Sequence, residues 1–250
     1  MTVWKDMVSF SIPGDKNQSG GGKRGDIQAF SKEARYRLFR LLHQLEFKRV
    51  TFVTLTYPAD FPTIGKLHKA HLKEFRRRFE KEYGKIRAVW RLEFQDRGAP
   101  HYHIMYLDCP FVPVKWMCAV WHSVIRSDNQ AHLKNGVDLK LITENSEQKL
   151  IASYVGKYIS KIDERTIKSD DTRPGRFYGK WNIKAEVPYQ VEITAQRARL
   201  LSGFACLGKR SGSPWEPRDN SICTVFGDSM GSGEFGARIV RLLVEIQKHS

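Results

Sequence analysis

The clearest periodicity in the chain runs through residues 66–85, KLHKAHLKEFRRRFEKEYGK. Leu72, Phe75, Phe79 and Tyr83 recur at three- and four-residue steps, the spacing that lines one face of a helix. Gly84 suits its C-terminal cap. The opposite face holds Lys69, Lys73, Arg76, Arg77 and Lys81. A second helical pattern spans 28–45, with Arg and Lys opposite its apolar side. RVTFVTLTYP then turns β-branched and aromatic and is stopped by Pro58, which predicts a strand. IRAVWRLEFQ and HYHIMYLD flank DRGAP, a turn punctuated by Gly98 and Pro100, so 86–108 reads as a β-hairpin. A helix is predicted near 113–126, beginning at Pro113. VDLKLIT reads as a short strand, and EQKLIASYVGKYISKI as a helix despite Gly156.

Strands and helices mixed in this order, with a hairpin among them, imply an α+β fold: a central antiparallel sheet flanked by α-helices. Residues 13–26 (PGDKNQSGGGKRGD) are Gly-rich and polar and cannot repay their ordering entropy by burial. The expected organisation is a flexible N-terminal segment (1–27), a domain over 28–162, and a C-terminal extension (163–250) with a weaker pattern. Within that extension RFYGKWNIKAEVPYQVEIT offers a strand or two. Helices are predicted over ITAQRARLLSGFACL and ARIVRLLVEIQKH.

Charge changes the picture more than composition does. Forty-two Lys and Arg face 27 Asp and Glu, a net charge of +15 over 250 residues. A polyanion is the expected partner, and nucleic acid is the commonest one. No apolar run is long enough to span a bilayer, and the first residues lack a secretory signal pattern, so no membrane partner is expected. Cys109, Cys118, Cys206 and Cys223 form no CxxC pair and read as reduced thiols of a cytoplasmic protein.

His101 and His103 flank Tyr102 on an alternating strand, which puts both imidazoles on one face and Tyr102 on the other. Two neutral imidazoles make half of a metal site. The turn DRGAP brings Glu93 back alongside them as a third ligand, with Asp96 in reserve. That set leaves metal positions open for substrate oxygens. The plainer alternative is two surface histidines, with Glu93 paired to Arg91 or Arg97.

A second constellation lies in the helix predicted after VDLKLIT. Tyr154, Lys157, Tyr158 and Lys161 stand at i, i+3, i+4 and i+7 and share a face. A phenol titrates near pH 10 unperturbed, and a neighbouring ammonium favours the phenolate. The same ammonium can bind a phosphate oxygen. The plainer alternative is a basic amphipathic helix whose tyrosines cover the core.

Together these motifs resemble the HUH endonucleases and, within them, the phage-type, two-tyrosine rolling-circle replication initiators. Phe52-Val-Thr-Leu-Thr-Tyr57-Pro58 resembles the first motif of that superfamily. Pro100-His101-Tyr102-His103-Ile104 resembles its His-hydrophobic-His motif, and Tyr154 to Lys161 its paired-tyrosine motif. The resemblance covers roughly residues 50–162 and makes 28–162 the expected catalytic domain. It implies a divalent metal, Mg²⁺ or Mn²⁺, on His101, His103 and Glu93. It implies attack by Tyr154 or Tyr158 on single-stranded or hairpin origin DNA, assisted by Lys157 and Lys161. The products would be a 5′-phosphotyrosine and a free 3′-hydroxyl. Lys69, Lys73, Arg76, Arg77 and Lys81 would track the DNA backbone. A host helicase and DNA polymerase, in a bacterial or archaeal cytoplasm, would be the other partners. The competing expectations are a non-catalytic basic DNA- or RNA-binding protein and a related HUH tyrosine transposase.

Three weaker signals do not carry function. Gly203 to Lys209 has phosphate-loop spacing, but Arg210 replaces the Ser or Thr that would meet Mg²⁺. Cys109, Cys118 and His122 fit no common zinc spacing. Tyr178 and Tyr189 lack the helical Lys partner.

Overall fold

The computed structural model describes residues 1–4, 7–11, 27, 29–42, 44–143, 174–184, 189–206, 222–226 and 234–248. Two antiparallel sheets and six helices among them make an α+β fold. The larger sheet is built from β3 (Arg49–Leu55), β4 (Ala88–Phe94), β5 (Pro100–Leu107), β6 (Val137–Thr143) and β7 (Tyr178–Trp181). Their spatial order is β6-β3-β5-β4-β7. Every neighbouring pair is antiparallel. The smaller sheet, β8-β1-β2-β9, joins β1 (Thr2–Trp4) and β2 (Met7–Ser11) to β8 (Tyr189–Gln190) and β9 (Ile222–Phe226).

The helices are α1 (Lys32–Leu42), α2 (Gly65–Tyr83), α3 (Val114–Ile125), α4 (Gln130–Asn135), α5 (Ala195–Cys206) and α6 (Glu234–Lys248). Helix α2 buries the face its period predicts: His68, Leu72, Phe75 and Phe79 turn inward. Phe79 stacks on Tyr106 of β5 with ring centroids 4.4 Å apart, and Phe75 meets Trp121 of α3 edge-on at 5.9 Å. Each such buried ring contributes about 1.5–3 kcal/mol through the area it removes from water. Gly84 caps the helix at φ 80°, in the region only glycine enters cheaply.

Because β5 residues 102, 104 and 106 point to the α2 side, 101, 103 and 105 point the other way. That second face is apolar at one end, where Phe52, Met105 and Val89 lie side by side across β3, β5 and β4. One step along, the row turns polar: Asp138, Thr54, His103, Arg91 and Tyr178 are ladder partners across all five strands. The site lies in this row and the next.

The chain ends depart from expectation. Residues 2–11, expected within a flexible segment, form β1 and β2. Val3, Val8 and Phe10 bury against Ala198, Leu201, Ile239 and Leu243 of α5 and α6. The N-terminal strands thus share a core with the C-terminal extension, a pairing that spans most of the chain and leaves no local pattern to read. Strand β7 extends the central sheet beyond the expected boundary at residue 162 by pairing with β4. Helix α4 and strand β9 are elements that the sequence pattern does not predict. The helix expected around Tyr154 to Lys161 lies outside the described residues.

Candidate active site

Three strands deliver the site. In the β4–β5 ladder Glu93 faces His101 and Arg91 faces His103; in the β3–β5 ladder Thr54 faces His103. The register expected from the DRGAP turn is therefore present. The imidazoles of His101 and His103 lie side by side with centroids 4.6 Å apart. Nε2 of His103 is 3.2 Å from Oε2 of Glu93, and the two side chains are 11% and 15% exposed. On the other side of the His103 ring, Nδ1 is 3.3 Å from Oγ1 of Thr54.

The donor chemistry, two imidazoles and one carboxylate, suits a divalent cation with open positions. Two of the three groups already converge. Among the described residues, no group of three or more His, Cys, Asp or Glu is assembled around a single point.

Arg91 is 4% exposed, and its guanidinium lies over the Phe30 ring at 4.8 Å, with Tyr178 edge-on to Phe30 at 6.1 Å. Tyr178, set aside on sequence grounds, therefore stands on the same face as His103, two strands away. Arg97 is engaged elsewhere. It donates to the carbonyls of Tyr57 (2.5 Å) and Pro58 (2.6 Å) and packs over Phe61 at 5.3 Å. Reserve ligand Asp96 lies in the hairpin turn beyond β4.

The first motif is pinned at its end. The Thr56 carbonyl accepts from Trp121 Nε1 (2.6 Å) and His132 Nε2 (2.8 Å), and the Thr56 hydroxyl donates to the Gly136 carbonyl at 2.9 Å. Tyr57 is buried beside His71, its hydroxyl 3.0 Å from Nδ1. Burial raises the phenols of Tyr57, Tyr102 and Tyr106 above their ordinary range. Those three are poor nucleophiles. Tyr102, between the two histidines, faces α2.

The basic residues of α2 divide into two sets. Lys73, Arg77 and Lys81 are exposed, with Arg77 forked onto Glu74 at 2.7 and 2.8 Å. Lys69 and Arg76 do not share that open surface. The Lys69 ammonium sits 4.1 Å above the Trp90 ring and donates to the Arg176 carbonyl. Arg76 pairs with Glu80 at 2.8 Å and lies over Trp181 at 5.3 Å. The helical period sets both opposite the apolar face; the tryptophans of β4 and β7 draw them inward.

Cys118 directs its thiol at the Lys134 and Val137 carbonyls, and His122 bonds the Asn129 carbonyl. Burial pushes the Cys109 thiol up to about 11. These groups pack and do not assemble a metal set. Tyr154, Lys157, Tyr158 and Lys161 lie outside the described residues.

Residues 50–163 match the family model of the ORF2-type replication-associated protein. This stretch holds β3 to β6, with Thr54, Glu93, His101 and His103, and supports a replication initiator kind of protein. Uncharacterized protein 1 of Halorubrum pleomorphic virus 1 is 31% identical over 88 residues, 34% of this chain. The chain spans only 17% of that relative's length. No solved structure matches. No helix among the described residues is long and apolar enough to cross a membrane.

Proposed function

We propose that the chain is an HUH-type rolling-circle replication initiator of the two-tyrosine group, which nicks and rejoins single-stranded origin DNA. The observation that carries this reading is the meeting of His103 and Glu93, with His101 alongside, on one sheet face. That face falls inside the segment that resembles replication-associated proteins. The backbone register already puts all three side chains on that face. Side-chain rotation, without backbone movement, completes the ligand set.

Mg²⁺ or Mn²⁺ bound there supplies Lewis-acid polarisation of the scissile phosphate. Tyr154 or Tyr158 is the nucleophile. Its phenolate oxygen forms a bond to phosphorus, the bond to the 3′ oxygen breaks, and that oxygen leaves as a 3′-hydroxyl. The 5′-phosphotyrosine keeps the phosphodiester energy, so rejoining needs no ATP. Lys157 and Lys161 take up phosphate charge and assist loss of the phenol proton. The second tyrosine cuts the regenerated origin while the first holds its 5′ end.

One topological fact supports the pairing of the two motifs. The described chain leaves β6 at Thr143 on one edge of the sheet and returns to β7 on the opposite edge. There the Phe177 carbonyl accepts from the amide of Leu92, next to Glu93. Lys73, Arg77 and Lys81 are proposed to track the DNA backbone, whereas Lys69 and Arg76 serve packing. Host helicase and polymerase complete the cycle in the host cytoplasm.

The test incubates the full chain and Mn²⁺ with single-stranded and hairpin oligonucleotides covering the replicon that encodes it. A denaturing gel reads covalent adduct, and peptide mapping locates the linked residue. Changing Tyr154 and Tyr158 together to Phe abolishes the adduct and leaves salt-sensitive DNA binding intact. An adduct on Tyr178 would move the nucleophile to β7 while leaving the nickase reading in place. Binding without cleavage of any oligonucleotide would make the chain a non-catalytic binding module.

A further inference from the structure

We infer that Thr54 is a positioning residue for the site: its hydroxyl holds the His103 ring so that Nε2, and not Nδ1, is presented to the ligand set. This rests on the metal reading above and adds a residue to it.

The geometry is specific. Thr54 and His103 are ladder partners, so their side chains leave adjacent strands on the same face. Oγ1 of Thr54 lies 3.3 Å from Nδ1 of His103, and Glu93 Oε2 lies 3.2 Å from Nε2. The ring is thus held at both nitrogens, by different strands. A ring flip would turn Nε2 toward the threonine and break both contacts at once.

A hydroxyl is the group this position needs. The neutral imidazole carries one proton, on either nitrogen. With Nε2 protonated toward Glu93, Nδ1 accepts from the Thr54 hydroxyl. With Nε2 giving its lone pair to a cation, Nδ1 carries the proton and donates to the same oxygen. A hydroxyl serves in both senses, whereas an ionised carboxylate only accepts. Partners of this kind fix the orientation of a ligating histidine, and their loss typically weakens metal affinity about 10- to 100-fold. Valine has the shape of threonine without the hydroxyl and favours strands equally, so Thr54→Val isolates the oxygen.

Mn²⁺ binding to the full chain, followed by electron paramagnetic resonance without DNA, reads this directly. Thr54→Val is expected to weaken Mn²⁺ binding about 10- to 100-fold with an unchanged thermal unfolding midpoint, and Thr54→Ser to restore it. His103→Gln is the reference for loss of a ligand. If Thr54→Val binds as wild type while His103→Gln does not, the positioning role is wrong and the metal reading stands. If wild type itself shows no saturable Mn²⁺ binding, the metal reading fails and takes this inference with it. Should Thr54→Val unfold, Thr54→Ala is measured against Thr54→Ser in its place, with the same two outcomes.

Discussion

Glu93 stands opposite His101 in the ladder but reaches diagonally to His103, its Oε2 3.2 Å from Nε2. One carboxylate thereby relates to both imidazoles, to one by register and to the other by contact. Replacing it with its amide keeps the shape and removes the charge. Glu93→Gln is expected to lower Mn²⁺ affinity and adduct formation by about 10²-fold, while DNA affinity in the absence of metal stays at the wild-type level. Metal titration and gel capture of the adduct check the two halves. Normal adduct yield from the Gln variant would remove Glu93 from the site.

Arg97 ties the ligand-bearing hairpin to the segment that follows the first motif. Its fork spans two consecutive carbonyls, of Tyr57 and Pro58, and its Nε donates to Gln95 Oε1 at 3.0 Å. Arg97→Ala is expected to destabilise the fold by about 1–3 kcal/mol, the range for hydrogen bonds to a charged group. Lysine restores little, since a point charge cannot span both carbonyls. Urea unfolding of the three proteins decides it; a lysine variant as stable as wild type would mean that charge alone suffices.

Which parts of this architecture can be read in advance depends on the range of the interactions. The strand period of two puts His101 and His103 on one face, and a short turn returns Glu93 beside them, because both relations are local. Thr54 is invisible as a partner of His103 in the sequence: 49 residues separate them, and only the β3–β5 register brings them together. Lys69 reads as a solvated cation when its helix alone is in view, whereas Trp90, on another element, decides its position. Strands β1 and β2 escape a local reading because their partners, β8 and β9, lie near the far end of the chain. The tyrosine pair rests on sequence alone.

Gly179 marks the closest approach between β7 and β4. A Cβ built there would stand 2.7 Å from Cζ2 and 2.8 Å from Nε1 of Trp90, the ring on which Lys69 rests. The indole is 8% exposed and cannot retreat without disturbing that layer. Gly179→Ala is therefore expected to cost about 1–3 kcal/mol, as overpacking does. The variant's thermal unfolding midpoint should fall, and its tryptophan emission should shift. A variant as stable as wild type would show that β7 can slide away from the ring.

Burial lowers the Lys69 ammonium from 10.5 to about 7. The unfolded chain keeps that proton up to the higher value, and the folded chain gives it up near the lower one. Between the two, the unfolded state binds more protons, so the contribution of Lys69 to stability rises with pH. Below pH 7 the folded protein carries a desolvated ammonium and the cost is full, offset in part by the Trp90 face under the charge. Lys69→Met fills the same space without a charge. Its stability relative to wild type is expected to be most favourable at pH 6 and to decline toward pH 10, where the wild-type amine is neutral in the folded state and partly so in the unfolded one. Urea unfolding of both proteins at pH 6 and pH 9.5 measures the difference. A gap that does not change between the two would show that Lys69 keeps its proton over the tryptophan throughout, with the ring's attraction outweighing the loss of water.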